Sequence, residues 1–188
     1  MKQLSEQASS LEPRFAAAQS FAEYVRDARS NADLWVSLAR RAQVPAAVLD
    51  EVRAIGGQWH LLALSEDWCG DAVNSLPVIA KLAELADNVD LRILPRDTNL
   101  DLMDSHLSPR GGRAIPVVMV LDADFVERGW WGSRPAELQR WVDDVGHAMP
   151  KDDRYREVRK WYARNRGDDV LSEVVAIIRS AAREARAA

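Results

Sequence analysis

The sequence predicts an α/β protein: a four-stranded mixed sheet flanked by helices, with helical extensions at both ends. Three observations carry that prediction. Between Gln58 and Val145, short apolar runs suited to buried strands alternate with segments whose apolar residues recur at helical spacing. The order is strand, helix, strand, helix, strand, strand, helix. A helix between two such strands implies a right-handed crossover and a parallel pair, and the tight Asp122-Ala-Asp124 connection lets the last strand return antiparallel.

Taken in order, residues 1 to about 57 read as helical. Phe15, Ala18, Ala22 and Val25 recur on one face, with Phe21 and Tyr24 beside them, up to a break at Ser30-Asn31. Leu34, Trp35 and Leu38 mark a second, short helix. Pro45, suited to a first turn, restarts the chain, and Val48, Leu49, Val52 and Ile55 carry a third helix to the Gly56-Gly57 stop. Gln58 to Ser65 is the first strand. The helix that follows, from about Gly70 to Asp87, is apolar on more than one side, so it is well buried, and Pro77 inside it is expected to bend it. Val89 to Leu94 is the second strand, Asn99 to Leu107 a short helix, and Ser108-Pro-Arg-Gly-Gly-Arg113 a loop. Ile115 to Leu121 and Phe125 to Trp131 form a hairpin. Ser133 is placed to cap a helix with Pro135 in its first turn and Leu138, Trp141, Val142 and Val145 on one face. Two further helices follow Met149-Pro150, one carrying Tyr155, Val158, Trp161 and Tyr162 to Gly167, the other an apolar stripe from Leu171 to Ala182. This divides the chain into a helical N-terminal extension (1–57), a core (58–148) and a C-terminal helical pair (149–188), one compact domain overall.

Composition narrows the functional classes. At 188 residues, 47% hydrophobic and 29% charged, the chain has ample core for one domain. A net charge of −4, with arginines interspersed among acids, gives no nucleic-acid surface. The first residues hold no apolar signal core, no run reaches the length of a membrane span, and the single cysteine makes no internal disulfide, so the cytoplasm is the expected compartment. His60, His106 and His147 share no ligand spacing; no metal site and no cofactor are expected.

That single cysteine, Cys69, stands at a strand-to-helix junction inside Leu64-Ser-Glu-Asp-Trp-Cys-Gly-Asp-Ala-Val73. A thiol there faces the free N–H groups and positive dipole end of a helix, an environment that favours thiolate and lowers the cysteine pKa. A Trp-Cys-Gly at the end of the first core strand, with this element order, resembles the thioredoxin superfamily. Pro77 lies eight residues after Cys69, where that family kinks its helix, and Ile115-Pro116 precedes the third strand, where the family carries a cis-proline facing its cysteine. Ser65-Glu-Asp-Trp-Cys-Gly-Asp71, Leu94-Pro-Arg-Asp97, Gly111-Gly-Arg-Ala-Ile-Pro116 and Trp131-Gly-Ser-Arg-Pro135 together resemble a bacterial branch of thioredoxin-like proteins, over about residues 58–148.

The departure from the family pattern limits the chemistry. A dithiol oxidoreductase needs Cys-x-x-Cys, and here the motif is Cys69-Gly70-Asp71-Ala72 with no second cysteine in the chain. Cys69 is able to form a mixed disulfide, but nothing within the chain releases it. The resemblance therefore implies a monothiol redox protein whose partner is a thiol-containing protein or a low-molecular-weight thiol, resolved by an external thiol. The alternative is a non-catalytic thioredoxin-fold module that binds a partner in the cis-proline groove. Peroxide reduction through a sulfenic acid is a third reading.

Each candidate residue also has a purely structural role open to it. Cys69 is the nucleophile or a small inert residue at a helix start. Asp71 stands where thioredoxins usually have proline, and is either a helix-capping acid or a group that moves protons and repels a thiolate. Trp68 is expected to border the sulfur, while Glu66 and Asp67 read as solvated loop acids. Ile115 and Pro116 would present backbone to a peptide or thiol ligand, and Arg113 would attract the carboxylates of a small thiol or simply be solvated. The last helix, Leu171 to Ala185, is available either to the core or to a second copy of the chain.

Overall fold

Leu62 and Ala63 in the middle of one strand are fully enclosed, as are Val118 and Met119 in the strand beside it, so the central sheet is covered on both faces. The computed structural model of the chain describes residues 11–187; the expectation of helix over residues 1–10 lies outside the described residues. The N-terminal part comprises α1 (11–17), β1 (Gln19–Ser20), α2 (Phe21–Asp27), α3 (Ala32–Arg41) and α4 (Ala46–Ile55). Then come β2 (Trp59–Ser65), α5 (Gly70–Leu85), β3 (Val89–Pro95), α6 (Leu100–Asp104), β4 (Val117–Leu121), β5 (Glu127–Gly132) and α7 (Ala136–Asp144). Helices α8 (Lys151–Asn165) and α9 (Asp168–Ala187) complete the described chain.

The sheet order is β1-β3-β2-β4-β5. β2 runs parallel to β3 and antiparallel to β4, and β4 pairs antiparallel with β5, as the alternation of elements predicts. The sheet has five strands, not four. The added one, β1, pairs Gln19 and Ser20 antiparallel with Ile93 and Arg92 at the edge. It also splits the single helix expected over Phe15 to Val25. The cause is local: Ser20 accepts from the Glu23 N–H while the Glu23 carboxylate accepts from the Ser20 N–H at 2.8 Å, a capping box that starts a new helix.

Two further expectations change. Ser133 does not cap α7. That helix begins at Ala136 behind Pro135, and the Glu173 carboxylate of α9 accepts the Ala136 N–H at 2.8 Å and the Trp131 indole N–H at 2.6 Å. Its N-terminal cap thus comes from another helix. The α9 stripe of Val170, Leu171, Val174, Val175 and Ile178 is buried in the molecule's own main core. Helix α8 packs instead on α7, where Val158 and Tyr162 join Leu138 and Val142 in a second, smaller cluster. Pro77 lies fully within α5, which continues through it. Among the described residues, no helix is long and apolar enough to cross a membrane.

Candidate functional site

The end of β2 delivers the chain into a short loop that is fixed from both sides. Asp67 accepts the Arg29 and Ser30 backbone N–H groups at 2.7 and 2.9 Å, and its own carbonyl accepts the Trp35 indole N–H at 3.0 Å. Glu66 accepts the Asp97 N–H at 2.9 Å. The two acids expected to be solvated are therefore clamps that tie the loop to the α2–α3 connection and to the turn after β3. Charged acceptors of backbone N–H groups are the stronger class of hydrogen bond, which suits a loop that must hold one residue in place.

That residue is Cys69, the N-cap of α5. Its sulfur accepts the Ala72 N–H at 3.4 Å and donates to the Ile115 carbonyl at 3.3 Å. The first contact favours the thiolate; the second needs the proton to be present. The residue is only 7% exposed. Burial pushes the thiol pKa up to about 11, the Asp71 carboxylate adds to the rise, and the N–H groups of Ala72 and Asp71 with the Arg134 guanidinium only partly oppose it. The expectation of a thiol titrating below an ordinary cysteine is corrected: the resting site holds a neutral thiol. The helix end is present, but desolvation outweighs it.

Asp71 is neither a solvated cap nor free. It is 8% exposed and forms an ion pair with Arg134, Oδ2 to Nη2 at 2.6 Å, while the Tyr162 hydroxyl donates to its other oxygen at 3.1 Å. Burial raises its carboxyl pKa, opposed by Arg134 and Tyr162; the short contact with a permanently charged guanidinium keeps it the anion of the pair. Tyr162 is itself pushed well above the usual phenol range, first by burial and then by the Asp71 charge, so it keeps the proton it donates to Asp71. Arg134 also donates to Gln139 at 3.1 Å. Sequence reasoning missed Arg134 and Tyr162 as site residues. Arg134 lay within a quoted motif without a role, and Tyr162 read as part of an apolar stripe.

Above the sulfur opens a cleft of about 430 Å³. Trp68, Cys69, Gly70, Asp71, Arg113 and Ile115 all line it, so the structure brings together most of the sequence-predicted site. Ala72 and Pro116 do not line it; both are buried behind the wall. The Ile115–Pro116 peptide is cis, and the Ile115 carbonyl is already engaged by the Cys69 thiol. Trp68 is half exposed at the lip, with the Arg96 guanidinium 5.1 Å above its ring. Arg113 is not a free anchor, because Asp104 holds it bidentately at 2.7 and 2.9 Å. Part of the lining is unexpected: Tyr155, Val158 and Arg159 of α8 contribute to it, as do Asn31, the N-cap of α3, and Leu34. Among the described residues, no group of three His, Cys, Asp or Glu side chains is placed to hold a metal ion.

A thioredoxin family model matches residues 18–148. The chain belongs to the thioredoxin family. The family match starts at Ala18, well before the Gln58 boundary expected from the motifs, and so takes in the segment that supplies β1 and clamps the cysteine loop. Among solved structures, this thioredoxin-family chain is similar to a protein of unknown function, PA1234, from Pseudomonas aeruginosa. The two share 22% identity at a TM-score of 0.67, over 89% of this chain and 95% of that one. It is also similar to an HIV epitope-scaffold, at 20% identity and a TM-score of 0.67, over 88% and 95% of the respective chains. No curated protein sequence matches it. The structural likenesses speak for the thioredoxin-like fold: a mixed sheet flanked by helices, extended by helices at both ends.

Proposed function

We propose that this is a monothiol redox protein of the thioredoxin fold, in which Cys69 exchanges with the disulfide of a thiol-containing protein or low-molecular-weight thiol. The observation that carries the reading is the placement of the sulfur: it forms the floor of the cleft, between the Ala72 N–H and the Ile115 carbonyl. In the forward step, the Cys69 sulfur attacks one sulfur of RS–SR. The Cys69–S–S–R bond forms, the RS–SR bond breaks, and the thiol proton ends on the departing RSH. A second, external thiol then attacks the mixed disulfide and returns Cys69 to the thiol, because Ala72 stands where a resolving cysteine would be.

The neutral resting thiol makes this exchange slow at neutral pH unless a ligand displaces the bond to Ile115. Intact-mass measurement tests the reading. Native protein incubated with 2-hydroxyethyl disulfide is expected to gain one adduct, lost on adding a thiol and absent in Cys69→Ser. Should only the urea-unfolded chain react, the exchange reading fails. The buried thiol with its raised pKa favours one second reading: a thioredoxin-fold binding module that uses the same cleft, in which Cys69 is a packing residue.

A further inference from the structure

Helix α8 brings one basic residue, Arg159, to the cleft, and the thiol chemistry does not use it. From Lys151 to Arg166 there are seven Lys or Arg against three Asp or Glu, in a chain whose net charge is −4. Of those seven, Arg156 and Lys160 are paired with Asp153 and Glu157, and only Arg159 lines the cleft. Of the guanidinium groups that line the cleft, three are engaged: Arg134 with Asp71, Arg96 with Asp97 at 2.6 Å, and Arg113 with Asp104. Of these, the Arg113–Asp104 pair is exposed on both sides, where such a pair contributes little, while Arg96 is mostly buried against Trp68. Arg159 is different. It is exposed on α8 at the cleft wall, and makes no ion pair or side-chain hydrogen bond among the described residues.

We infer that the cleft takes a small thiol or disulfide bearing carboxylates, with Arg159 as the carboxylate anchor and the ligand's sulfur over Cys69. This deepens the monothiol reading and rests on it for the covalent step. The cleft's volume of about 430 Å³ is enough for a small molecule. Its polar demand is one-sided. Apart from Asp71, already neutralised by Arg134, no acidic side chain lines it, while Leu34, Trp68, Tyr155 and Val158 supply apolar surface for the ligand's stem. A guanidinium matches a carboxylate bidentately, so Arg159 selects charge and geometry together. A cationic disulfide of the same size meets the Arg159 charge and no unpaired acid, and is disfavoured.

The test compares three symmetric disulfides of similar size: anionic 3,3′-dithiodipropionate, neutral 2-hydroxyethyl disulfide and cationic cystamine, with insulin as a protein disulfide. Each rate of Cys69 adduct formation is divided by that for N-acetylcysteinamide under the same conditions, which removes intrinsic reactivity. At low salt the anionic reagent is expected to exceed the cationic one at least tenfold. Arg159→Ala should bring that ratio below threefold, Arg159→Lys should restore part of it, and 0.5 M salt should compress it. Equal normalised rates, a ratio unmoved by Arg159→Ala, or reaction with insulin alone would overturn the inference while leaving thiol exchange standing. If nothing reacts, the thiol reading is lost instead. The anion site is then decided by an NMR titration with 3-(methylthio)propionate: saturable shifts at the cleft that vanish in Arg159→Ala sustain it, and their absence ends it.

Discussion

Asp71→Asn should make Cys69 more acidic and more reactive. In the wild type, burial and the neighbouring carboxylate hold the thiol near a pKa of about 11. At pH 8 only about one sulfur in a thousand is then thiolate, and each added pH unit multiplies that fraction roughly tenfold. The rate of alkylation by neutral iodoacetamide should therefore rise about a hundredfold between pH 7.5 and 9.5, without a plateau. An ordinary cysteine, with a pKa near 8.5, levels off over that range. The ratio of rates at two pH values cancels the poor accessibility of a buried sulfur. Replacing Asp71 by Asn removes the second-largest cause of the rise and leaves the Arg134 charge unpaired beside the sulfur, so both changes act in one direction. Desolvation, the largest cause, is untouched, so the thiol stays above the ordinary value. A shift of about one unit is expected, giving roughly tenfold faster alkylation at pH 8. A wild-type plateau below pH 9, or slower alkylation in the variant, would refute the assignment of the raised pKa to burial and Asp71.

Three other outcomes follow from the packing. Tyr162→Phe removes the hydroxyl donor to the buried Asp71 carboxylate and should cost roughly 1–3 kcal/mol in urea unfolding, since the acceptor loses its partner. Gly132→Ala places a Cβ 2.2 Å from the Pro116 carbonyl oxygen, a contact that only backbone movement relieves; a loss of about 1–3 kcal/mol, with faster Cys69 alkylation as the Ile115 carbonyl shifts, is expected in thermal melts and alkylation assays. Both ring nitrogens of His106 face acceptors, Leu102 O at 2.6 Å and Glu127 Oε1 at 2.9 Å, a geometry that the imidazolium satisfies best. Burial pulls the His106 pKa down, but these two partners outweigh it and raise it above 6.5. The stabilisation is thus complete below about pH 6.5 and lost as pH rises through the folded-state value. Glu127→Gln should flatten that part of the stability–pH curve, and an NMR titration of His106 reads the same shift directly.

The parts of this molecule legible in the sequence are those set by neighbours along the chain. Trp59 to Ser65 and Val117 to Leu121 are largely apolar because the centre of the sheet is covered on both faces, Val89 to Pro95 alternates more because Asp90 is exposed, and the order of the three with β5 dictates a parallel pair with an antiparallel hairpin. The break at Ser20 was equally local: Ser20-Phe-Ala-Glu23 is a capping-box pattern, and reading it would have split the first helix. What stayed hidden depends on distance. The Asp71–Tyr162 contact joins residues 91 positions apart, and Glu173 caps a helix 37 positions upstream. No periodicity announces either. The thiol pKa was hidden for a different reason: the helix end at Cys69 is a sequence feature, whereas the burial that outweighs it is a property of the packed molecule.

The same long-range contacts change what the C-terminal extension is for. A helical pair outside the core reads as decoration when only the sequence is known. Yet α8 brings Tyr162 to the carboxylate beside the cysteine, and sets Tyr155, Val158 and Arg159 into the wall of the cleft above it. Helix α9 supplies the cap and indole partner that hold Trp131 and the start of α7, immediately around Arg134. A family site built on one face of a sheet is thereby closed by elements from the far end of the chain. In the proposed exchange an external thiol must reach Cys69 to release it, and the cleft it would enter is lined in part by Tyr155, Val158 and Arg159 of α8.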